Sequence, residues 1–366
     1  MMGTLRSYSH TDFDVNAAGQ TGIVRFDGGA ELAFAKWVTP KRTRSYPFAR
    51  LYDILSFAGK RVAIIPVIKD EGLGSGKNKS NNDRINFITL SWMNLANVYI
   101  LLAWYAGAKR KSPTRITAQR FDSTYVREKL RAIAESSQTS SEWNEHLFKT
   151  TFVDIYGRAV QSYIDIGRTL GVEMHPPDDH YRYLQSIQDS VDKSMICRDR
   201  FAELSLERSK SAARRELEVS HRHEVVKAGS RKGIFEIWDG NAGRYFLTSD
   251  EIEIDAESGE VRIQEAKNSS GGKIPGIQDV KDGLFKILLF SQMKVESGGG
   301  ERRSCRVTLK LTGGVRSSIN LPADDRAITE YCQREGLTAS MREVVVMVNA
   351  ESRANGFTVF ITSNNR

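Results

Sequence analysis

Three kinds of feature that would restrict the function are scarce or absent in this chain. It has three cysteines, Cys197, Cys305 and Cys332, and their scattered positions fit neither a zinc site nor a disulfide framework. No basic, then apolar, then small-residue segment opens the chain, so we expect no signal peptide. The most apolar stretch, residues 85–108, is interrupted by asparagines that a membrane span would carry only at a cost. We therefore expect a protein of the reducing cytoplasm with no membrane partner.

The composition is that of a folded protein with a polyanionic partner. Of the 366 residues, 40% are hydrophobic and 27% are charged, which is typical of globular domains. This length is sufficient for two domains, and we place their boundary between residues 190 and 191. The formal net charge of +8 favours a nucleic acid or another polyanion as the partner.

A β-hairpin is predicted in the second half of the chain, over residues 251–265. Glu251–Asp255 and Val261–Glu265 both alternate polar and apolar residues, and the segment between them contains a glycine suited to a tight turn. Two registers are compatible with this turn, because either Asp255 or Glu257 can pair with Glu260. In either register the same residues share one face, since side chains alternate with a period of two.

The aliphatic face of this hairpin ends in three charged residues, Asp250, Glu265 and Lys267. Two carboxylates that are withdrawn from water repel each other, so a cation is expected between them. Asp and Glu oxygens are ligands that Mg²⁺ prefers, and a lysine can orient a water or stabilise charge at a phosphate. We therefore predict a Mg²⁺ site held by Asp250 and Glu265. A bulge near Ser249 would place Glu251 at the metal instead.

The spacing of these residues resembles a known nuclease motif. Asp250, a gap of fourteen residues and Glu265-x-Lys267 resemble the active site of the PD-(D/E)xK nuclease superfamily, in particular type II restriction endonucleases. Ser249 departs from the motif, whose name has proline at that position. The predicted element order over residues 200–312 is also similar to the core of that superfamily: a helix, the hairpin strands, a helix over 277–294 and a strand over 305–311.

This resemblance implies a fold, an activity and partners. The implied fold is α/β, with a restriction-endonuclease-like core of mixed central β-sheet flanked by helices in residues 191–366, and an N-terminal α/β region for DNA recognition in residues 1–190. The implied activity is Mg²⁺-dependent, site-specific hydrolysis of double-stranded DNA, in which Asp250 and Glu265 hold the metal and Lys267 assists the water. The resemblance further implies a 5′-phosphate product, a homodimer at a palindromic site, and a companion DNA methyltransferase in the same prokaryotic cytoplasm.

Two other functions are compatible with the same residues. A less specific DNA nuclease would use the same metal site. A non-catalytic nucleic-acid-binding protein would carry the hairpin carboxylates as structural or solvated groups. Lys267 favours a nuclease, because a pure binder has no evident reason to place an ammonium beside two carboxylates.

Basic residues at two places are candidates for contacts with DNA phosphates. One group, between two prolines, comprises Lys41, Arg42 and Arg44, and the other comprises Arg302 and Arg303. A solvated surface is an equally good interpretation of such basic runs.

Asp70 and Glu71 form the second candidate site. They follow residues 61–68, a nearly continuous apolar run that is typical of a buried strand. No Glu-x-Lys sequence lies near them, so we expect a recognition or structural role. Residues 174–180 include types that bind metals, but their prolines favour a turn before a helix.

The remaining patterns predict further helices and strands. A core helix is expected to end near Leu95, followed by a buried strand over 98–105 that Lys109–Lys111 terminate. We also expect helices over 122–135, 141–170 and 324–335, one long helix or two over 191–232, and strands over 343–348 and 356–362 that extend the nuclease sheet.

Overall fold

A computed structural model describes residues 5–37, 39–40, 47–48, 50–74, 82–207, 210, 231–238, 244–255, 257–296 and 302–364. These residues form two compact units. The N-terminal unit contains the described residues of 5–207 together with Trp238 and Arg244, and the C-terminal unit contains the described residues of 208–237 and 245–366. The division follows Glu207, later in the chain than the boundary that we placed at residue 190. Among the helices that are described, none is long and apolar enough to cross a membrane.

The N-terminal unit is built on a mixed five-stranded sheet. The strands of the whole unit, inside and outside this sheet, are β1 (Ser7–Ser9), β2 (Thr21–Arg25), β3 (Glu31–Lys36), β4 (Thr39–Pro40), β5 (Pro47–Phe48), β6 (Lys60–Pro66), β7 (Ile68–Asp70), β8 (Asn82–Arg84), β9 (Tyr99–Ala103), β10 (Tyr105–Ser112) and β11 (Arg115–Phe121). Its helices are a 3-10 turn (Leu51–Asp53), α1 (Phe87–Leu95), α2 (Ser123–Glu135), α3 (Ser140–Thr150), α4 (Phe152–Leu170), α5 (Pro177–Ile187) and α6, which is helical over residues 198–207. In the sheet order β1-β2-β3-β6-β9, β2 and β3 are antiparallel and the other neighbours are parallel. Strands β10 and β11 form a separate two-stranded ribbon.

The asparagines that interrupt the most apolar stretch all make hydrogen bonds. Asn86 caps α1, and its side chain accepts from the amide of the residue three positions later. Asn94 accepts a hydrogen bond from Asn144 at 2.8 Å, and Asn97 accepts one from Ser140 at 2.6 Å. A buried polar group costs little free energy once it is paired, so this stretch can form α1 and β9 in the core, as predicted.

The C-terminal unit is built on a mixed six-stranded sheet. Its strands are β12 (Arg231–Trp238), β13 (Arg244–Ile254), β14 (Val261–Asn268), β15 (Val295–Glu296), β16 (Arg302–Arg303), β17 (Cys305–Gly313), β18 (Ile319–Leu321) and β19 (Thr358–Ser363), and its helices are α7 (Ile277–Ser291), α8 (Asp325–Arg334) and α9 (Ala339–Asn355). The sheet order is β12-β13-β14-β17-β19-β18. Strands β14, β17 and β19 are parallel, whereas β13 and β18 run antiparallel to their neighbours β14 and β19. Helix α7 follows β14 in the chain and packs against β14 and β17.

The predicted hairpin is formed by β13 and β14, and its register is the first of the two expected. Ile252 lies opposite Ile263, and the amide of Asp255 donates to the carbonyl of Glu260 at 2.9 Å. Ile263 is fully buried, whereas Ile254 on β13 is 57% exposed. The aliphatic face of the hairpin is therefore covered along β14 and open toward the turn on β13.

One predicted strand is wrong, because residues 343–348 lie within helix α9. Their valine-rich composition is typical of a strand. Thr338 caps the helix, however, and the buried residues Val345, Val348, Asn349 and Ser352 recur at helical spacing. The helices expected over 277–294 and 324–335 and the strands expected over 305–311 and 356–362 are confirmed as α7, α8, β17 and β19.

The prediction of one long helix or two over residues 191–232 is also wrong at both ends. Ile196 forms a β-bridge with Gln188, so the chain becomes helical only at residue 198. Residues 231–232 belong to strand β12. Charged residues three or four apart thus indicated a helix correctly over 198–207 but gave no sign of where it begins.

Candidate active site

Asp250 lies on β13 beside the backbone of Ala266. Its Oδ2 accepts a hydrogen bond from the Ala266 amide at 2.7 Å. Burial raises the pKa of Glu265, and the negative charge of Asp250 raises it further. The hairpin register thus places both predicted metal ligands at the same end of the hairpin.

Glu265 on β14 is 1% exposed, and a lysine donates to each of its oxygens. Nζ of Lys267 lies 2.9 Å from Oε1, and Nζ of Lys286 lies 3.0 Å from Oε2. Lys286 also donates to the carbonyl of Thr248 at 3.4 Å, so it links α7 to both strands of the hairpin. Burial raises the pKa of Glu265, but the two lysines keep it below the value that burial alone would give.

Lys267 connects β14 to helix α7. Its Nζ donates to Oδ2 of Asp282 at 2.9 Å as well as to Glu265, and Asp282 is itself buried. Burial by itself lowers the pKa of Lys267, but Glu265 and Asp282 outweigh this effect and raise the pKa above its ordinary value. Lys267 is therefore an ammonium at neutral pH. It can donate hydrogen bonds and offset negative charge.

Gly283 allows α7 to approach the site closely. A β-carbon at this position would lie 2.6 Å from Cδ1 of Leu309 and 3.3 Å from Cγ of Lys267. The first distance is shorter than real carbon contacts, so any side chain here would displace either the helix or Leu309. The absence of a side chain at Gly283 thus allows α7 to pack close to Lys267.

The sequence prediction does not include Asp282 and Lys286, although both belong to the site. Residues 282–290 are all buried, and these two are the charged members of that run. A charged side chain in so apolar a stretch requires a partner. That requirement is visible in the sequence, but the identity of the partner is not.

The opposite face of the hairpin carries a separate set of charges. Gln264 donates across the strands to Glu251, and Arg262 pairs with Glu253 at 3.7 Å. Because side chains alternate along a strand, these acids lie on the face opposite to Glu265. Glu251, the alternative first metal ligand, is therefore directed away from the site in this register.

Asp250 and Glu265 suit a hard divalent cation by their chemistry. Mg²⁺ commonly takes one or two carboxylates from a protein and completes its shell with waters and substrate phosphates. Within the described ranges, no cluster of three or more His, Cys, Asp or Glu side chains is arranged to hold a metal. A cation here would depend on two carboxylates together with water or substrate, and it would share Glu265 with two lysines.

The residues predicted to contact DNA are described only in part. Lys41, Arg42 and Arg44 lie outside the described residues. Arg302 and Arg303 form β16, which pairs with β15, and Arg303 is half-buried. Their contact with phosphate stays a prediction.

Asp70, in the N-terminal unit, is fully buried and lies between two histidines. Its Oδ1 is 2.8 Å from Nδ1 of His175 and accepts from the amide of Gly72 at 2.7 Å, while its Oδ2 is 3.7 Å from Nε2 of His180. Burial alone would raise the pKa of Asp70, but the histidines outweigh it and lower the pKa to about 2. These contacts hold β7 to α5 and to the turn before it. Of the two roles expected for Asp70, recognition or structure, they favour the structural one. Glu71 pairs with a lysine two residues before it, at 3.2 Å.

The fold places this chain in the α/β class, with mixed sheets in both units. In comparisons with known proteins, no protein-family model, curated protein or solved structure matches it. Its function is therefore inferred from the geometry of the site and from the motif.

Proposed function

We propose that the chain is a Mg²⁺-dependent endonuclease that cuts double-stranded DNA at specific sites, as type II restriction enzymes do. The observation that carries the proposal is that Glu265 and Lys267 are bonded to each other and to helix α7, while Asp250 accepts from the amide of Ala266 between them. Two carboxylates suit a divalent cation, and an ammonium suits an anionic substrate. The strand order β12-β13-β14-β17, with α7 packed on the last two, also supports a restriction-endonuclease-like core.

Lys267 acts in this proposal as a hydrogen-bond donor and not as a base. Its hydrogen bond to Asp282 fixes the direction of its Nζ. An ammonium held in this way can orient the attacking water and offset the charge that develops on the phosphate.

Asp250 and Glu265 would hold the Mg²⁺, which supplies positive charge at the phosphate and acidifies a water. The Ala266 amide orients Asp250, and Lys286 orients Glu265, so both carboxylates are fixed by neighbours from the hairpin and from α7. In the reaction, water adds to phosphorus and the bond from phosphorus to the 3′ oxygen breaks. The water loses a proton and the 3′ oxygen gains one, which leaves a 5′-phosphate.

The proposal includes the partners that the motif implies. Double-stranded DNA is the substrate, and a palindromic site would be read by a homodimer. A companion DNA methyltransferase would protect the DNA of the same prokaryotic cytoplasm. The N-terminal unit would supply DNA recognition.

The test is cleavage of plasmid DNA by the full chain with Mg²⁺ and with EDTA. We expect discrete fragments with Mg²⁺ alone. Lys267→Ala should abolish cleavage and leave DNA binding nearly intact, because it removes a charge at the reacting phosphate and not a binding surface. Lys294→Ala is the matched control, since Lys294 is an exposed lysine just after α7.

Each outcome of this experiment separates the candidate functions. Fragments of all sizes indicate a less specific nuclease. Intact plasmid under every divalent metal, with DNA binding retained, indicates a non-catalytic binding protein. Cleavage by Lys267→Ala within a few-fold of wild type would show that the site lies elsewhere.

A further inference from the structure

The two-stranded ribbon β10–β11 in the N-terminal unit is strongly basic. Its residues, 105–121, include five cations and no acid. The five are Lys109, Arg110, Lys111, Arg115 and Arg120. Across the described ranges, none of them has an ion pair or a side-chain hydrogen bond, and the three consecutive ones are exposed. Like charges this close together repel one another, so binding of an anionic ligand would relieve the repulsion.

The ribbon is held firmly at both ends. At its base, the rings of Tyr105 and Phe121 stack with centroids 4.4 Å apart, and both side chains are buried. At its turn, the Pro113 carbonyl accepts from the Glu173 amide at 2.9 Å, and the Thr114 carbonyl accepts from a glycine amide at 3.0 Å. The cations therefore project from a fixed backbone and not from a free loop, which reduces the entropy that a ligand must remove.

The ribbon also lines a cleft of about 470 Å³ within the same unit. Lys109 and Arg120 contribute to its wall, together with Lys36 and Lys69 from the sheet side. The lining includes one acid, Glu71, and this acid is paired with Lys69 at 3.2 Å. The cleft thus continues the positive surface of the ribbon.

The backbone of β11 is strained where it lines this cleft. Ala118 has a φ of 49°, in the left-handed region that residues with a β-carbon rarely adopt, and the ribbon shows several register shifts. Such irregularities redirect side chains. The next residue, Gln119, donates to the Asp70 carbonyl, while its buried Oε1 has no hydrogen-bond partner among the described residues. A ligand with a donor group could satisfy that oxygen.

We propose that the β10–β11 ribbon is the surface through which the N-terminal unit binds duplex DNA, with Lys109, Arg110 and Lys111 on the phosphates. This inference rests on the proposed nuclease function for its choice of DNA among polyanions. A two-stranded β-ribbon fits the width of the major groove, and lysine and arginine contacts to phosphate set the register of a protein on the duplex.

The test is the salt dependence of DNA binding by the full chain in EDTA, measured by fluorescence anisotropy with a labelled duplex. The variant replaces Lys109, Arg110 and Lys111 with glutamine. Each phosphate contact contributes about 0.9 to the magnitude of the slope of log affinity against log salt. Loss of the three contacts should therefore make the slope shallower by about 2.7. Circular dichroism and the melting temperature check that the fold is unchanged.

The matched control removes three exposed cations of the same unit that already have acidic partners. It combines Arg25→Gln, Lys149→Gln and Arg182→Gln, and the partners of these residues are Glu31, Glu145 and Asp179. Its slope should stay close to that of the wild type, because a paired cation releases few counterions from DNA. An equal fall in both variants would overturn the proposal, since net charge alone would then explain binding.

Two further outcomes separate this proposal from the nuclease assignment. If the ribbon variant loses slope as expected but the wild-type chain never cuts DNA, the ribbon stands and the nuclease assignment fails. If the chain cuts DNA and the ribbon variant keeps the wild-type slope, the ribbon proposal fails alone. The ribbon proposal would also be overturned if the ribbon variant lost binding to an RNA duplex while its binding to DNA stayed unchanged.

Discussion

Replacing Lys286 with methionine tests how strongly the site depends on its second lysine. Lys286 is 5% exposed, and its Nζ lies 3.0 Å from Oε2 of Glu265. Methionine fills a similar volume, so the main effect is to leave Glu265 with one ammonium in place of two. Breaking a buried ion pair costs about 3–5 kcal/mol, and because Lys267 still pairs with Oε1 we expect the lower end, about 3 kcal/mol.

The pH dependence of the lost stability distinguishes the removal of the Lys286 charge from a change in side-chain packing. Burial already raises the pKa of Glu265, and removal of Lys286 should raise it further. An acid whose pKa is higher in the folded state binds its proton more tightly there, so lowering the pH favours folding of the variant. The difference in stability between wild type and variant should therefore be largest at a pH well above the raised pKa of Glu265, and it should narrow as the pH falls through that pKa.

Hydrogen exchange of the full chain provides the measurement, because it reports the opening free energy of each segment in a protein with two units. The relevant amides are those of Val261–Asn268 and Ile277–Ser291. Lys294→Met, at an exposed position, serves as the control and should change neither segment. A Lys286→Met variant with an unchanged opening free energy, or with a difference that grows as the pH falls, would refute the reasoning.

Three further variants test the remaining contacts. Asp250→Asn should lose cleavage and Mg²⁺ response together while Glu251→Gln stays close to wild type, as measured by cleavage rate against Mg²⁺ concentration; the reverse result would move the metal site to Glu251. Gly283→Ala should lower the melting temperature and the cleavage rate, by about 1–3 kcal/mol in stability, because its β-carbon would lie 2.6 Å from a buried leucine; Gly271→Ala, whose β-carbon has open space, is the control. Asp70→Asn should lower the stability by about 2 kcal/mol near neutral pH, because the pKa of Asp70 is lowered to about 2 in the folded protein. This stabilisation is lost as the pH falls from about 4 to about 2, so the melting temperatures of wild type and variant should converge across that range.

The hairpin could be predicted from the sequence because local pattern and turn chemistry agree there. Alternation in 251–255 and 261–265 requires an extended chain, and the turn between them leaves few registers. Both registers placed Asp250 and Glu265 on one face, so the choice between them did not affect that part of the prediction. The structure has the register that pairs Ile252 with Ile263.

The contacts from α7 could not be predicted in the same way. Periodicity shows which side of a helix is buried, but it does not show which strand residue each buried charge will meet. Lys286 and Glu265 are twenty-one residues apart, and their contact depends on how α7 packs against β14. The same limit applies to Asp70 and His175, which are 105 residues apart in the chain.

The basic ribbon was missed for a different reason. Lys109–Lys111 marked the end of an apolar segment, and a charged run at that place is equally typical of a solvated turn. Its pairing with residues 115–121 brings Arg115 and Arg120 to the same ribbon, and this concentration of charge is visible only once the strands are paired.

Four charged residues of the C-terminal unit form a continuous chain of ion pairs, with consequences for how this sequence can diverge. They run from Lys286 to Glu265, then to Lys267 and to Asp282, and so begin and end on the same helix four residues apart. Loss of any single member leaves a buried charge without its balance, whereas loss of Lys286 with Glu265, or of Asp282 with Lys267, leaves the other pair intact. Evolutionary drift at these positions should therefore proceed by paired replacements. Among descendants that no longer depend on the proposed cleavage, a neutral residue at 286 should co-occur with a neutral residue at 265, and a neutral residue at 282 with a shorter or neutral one at 267.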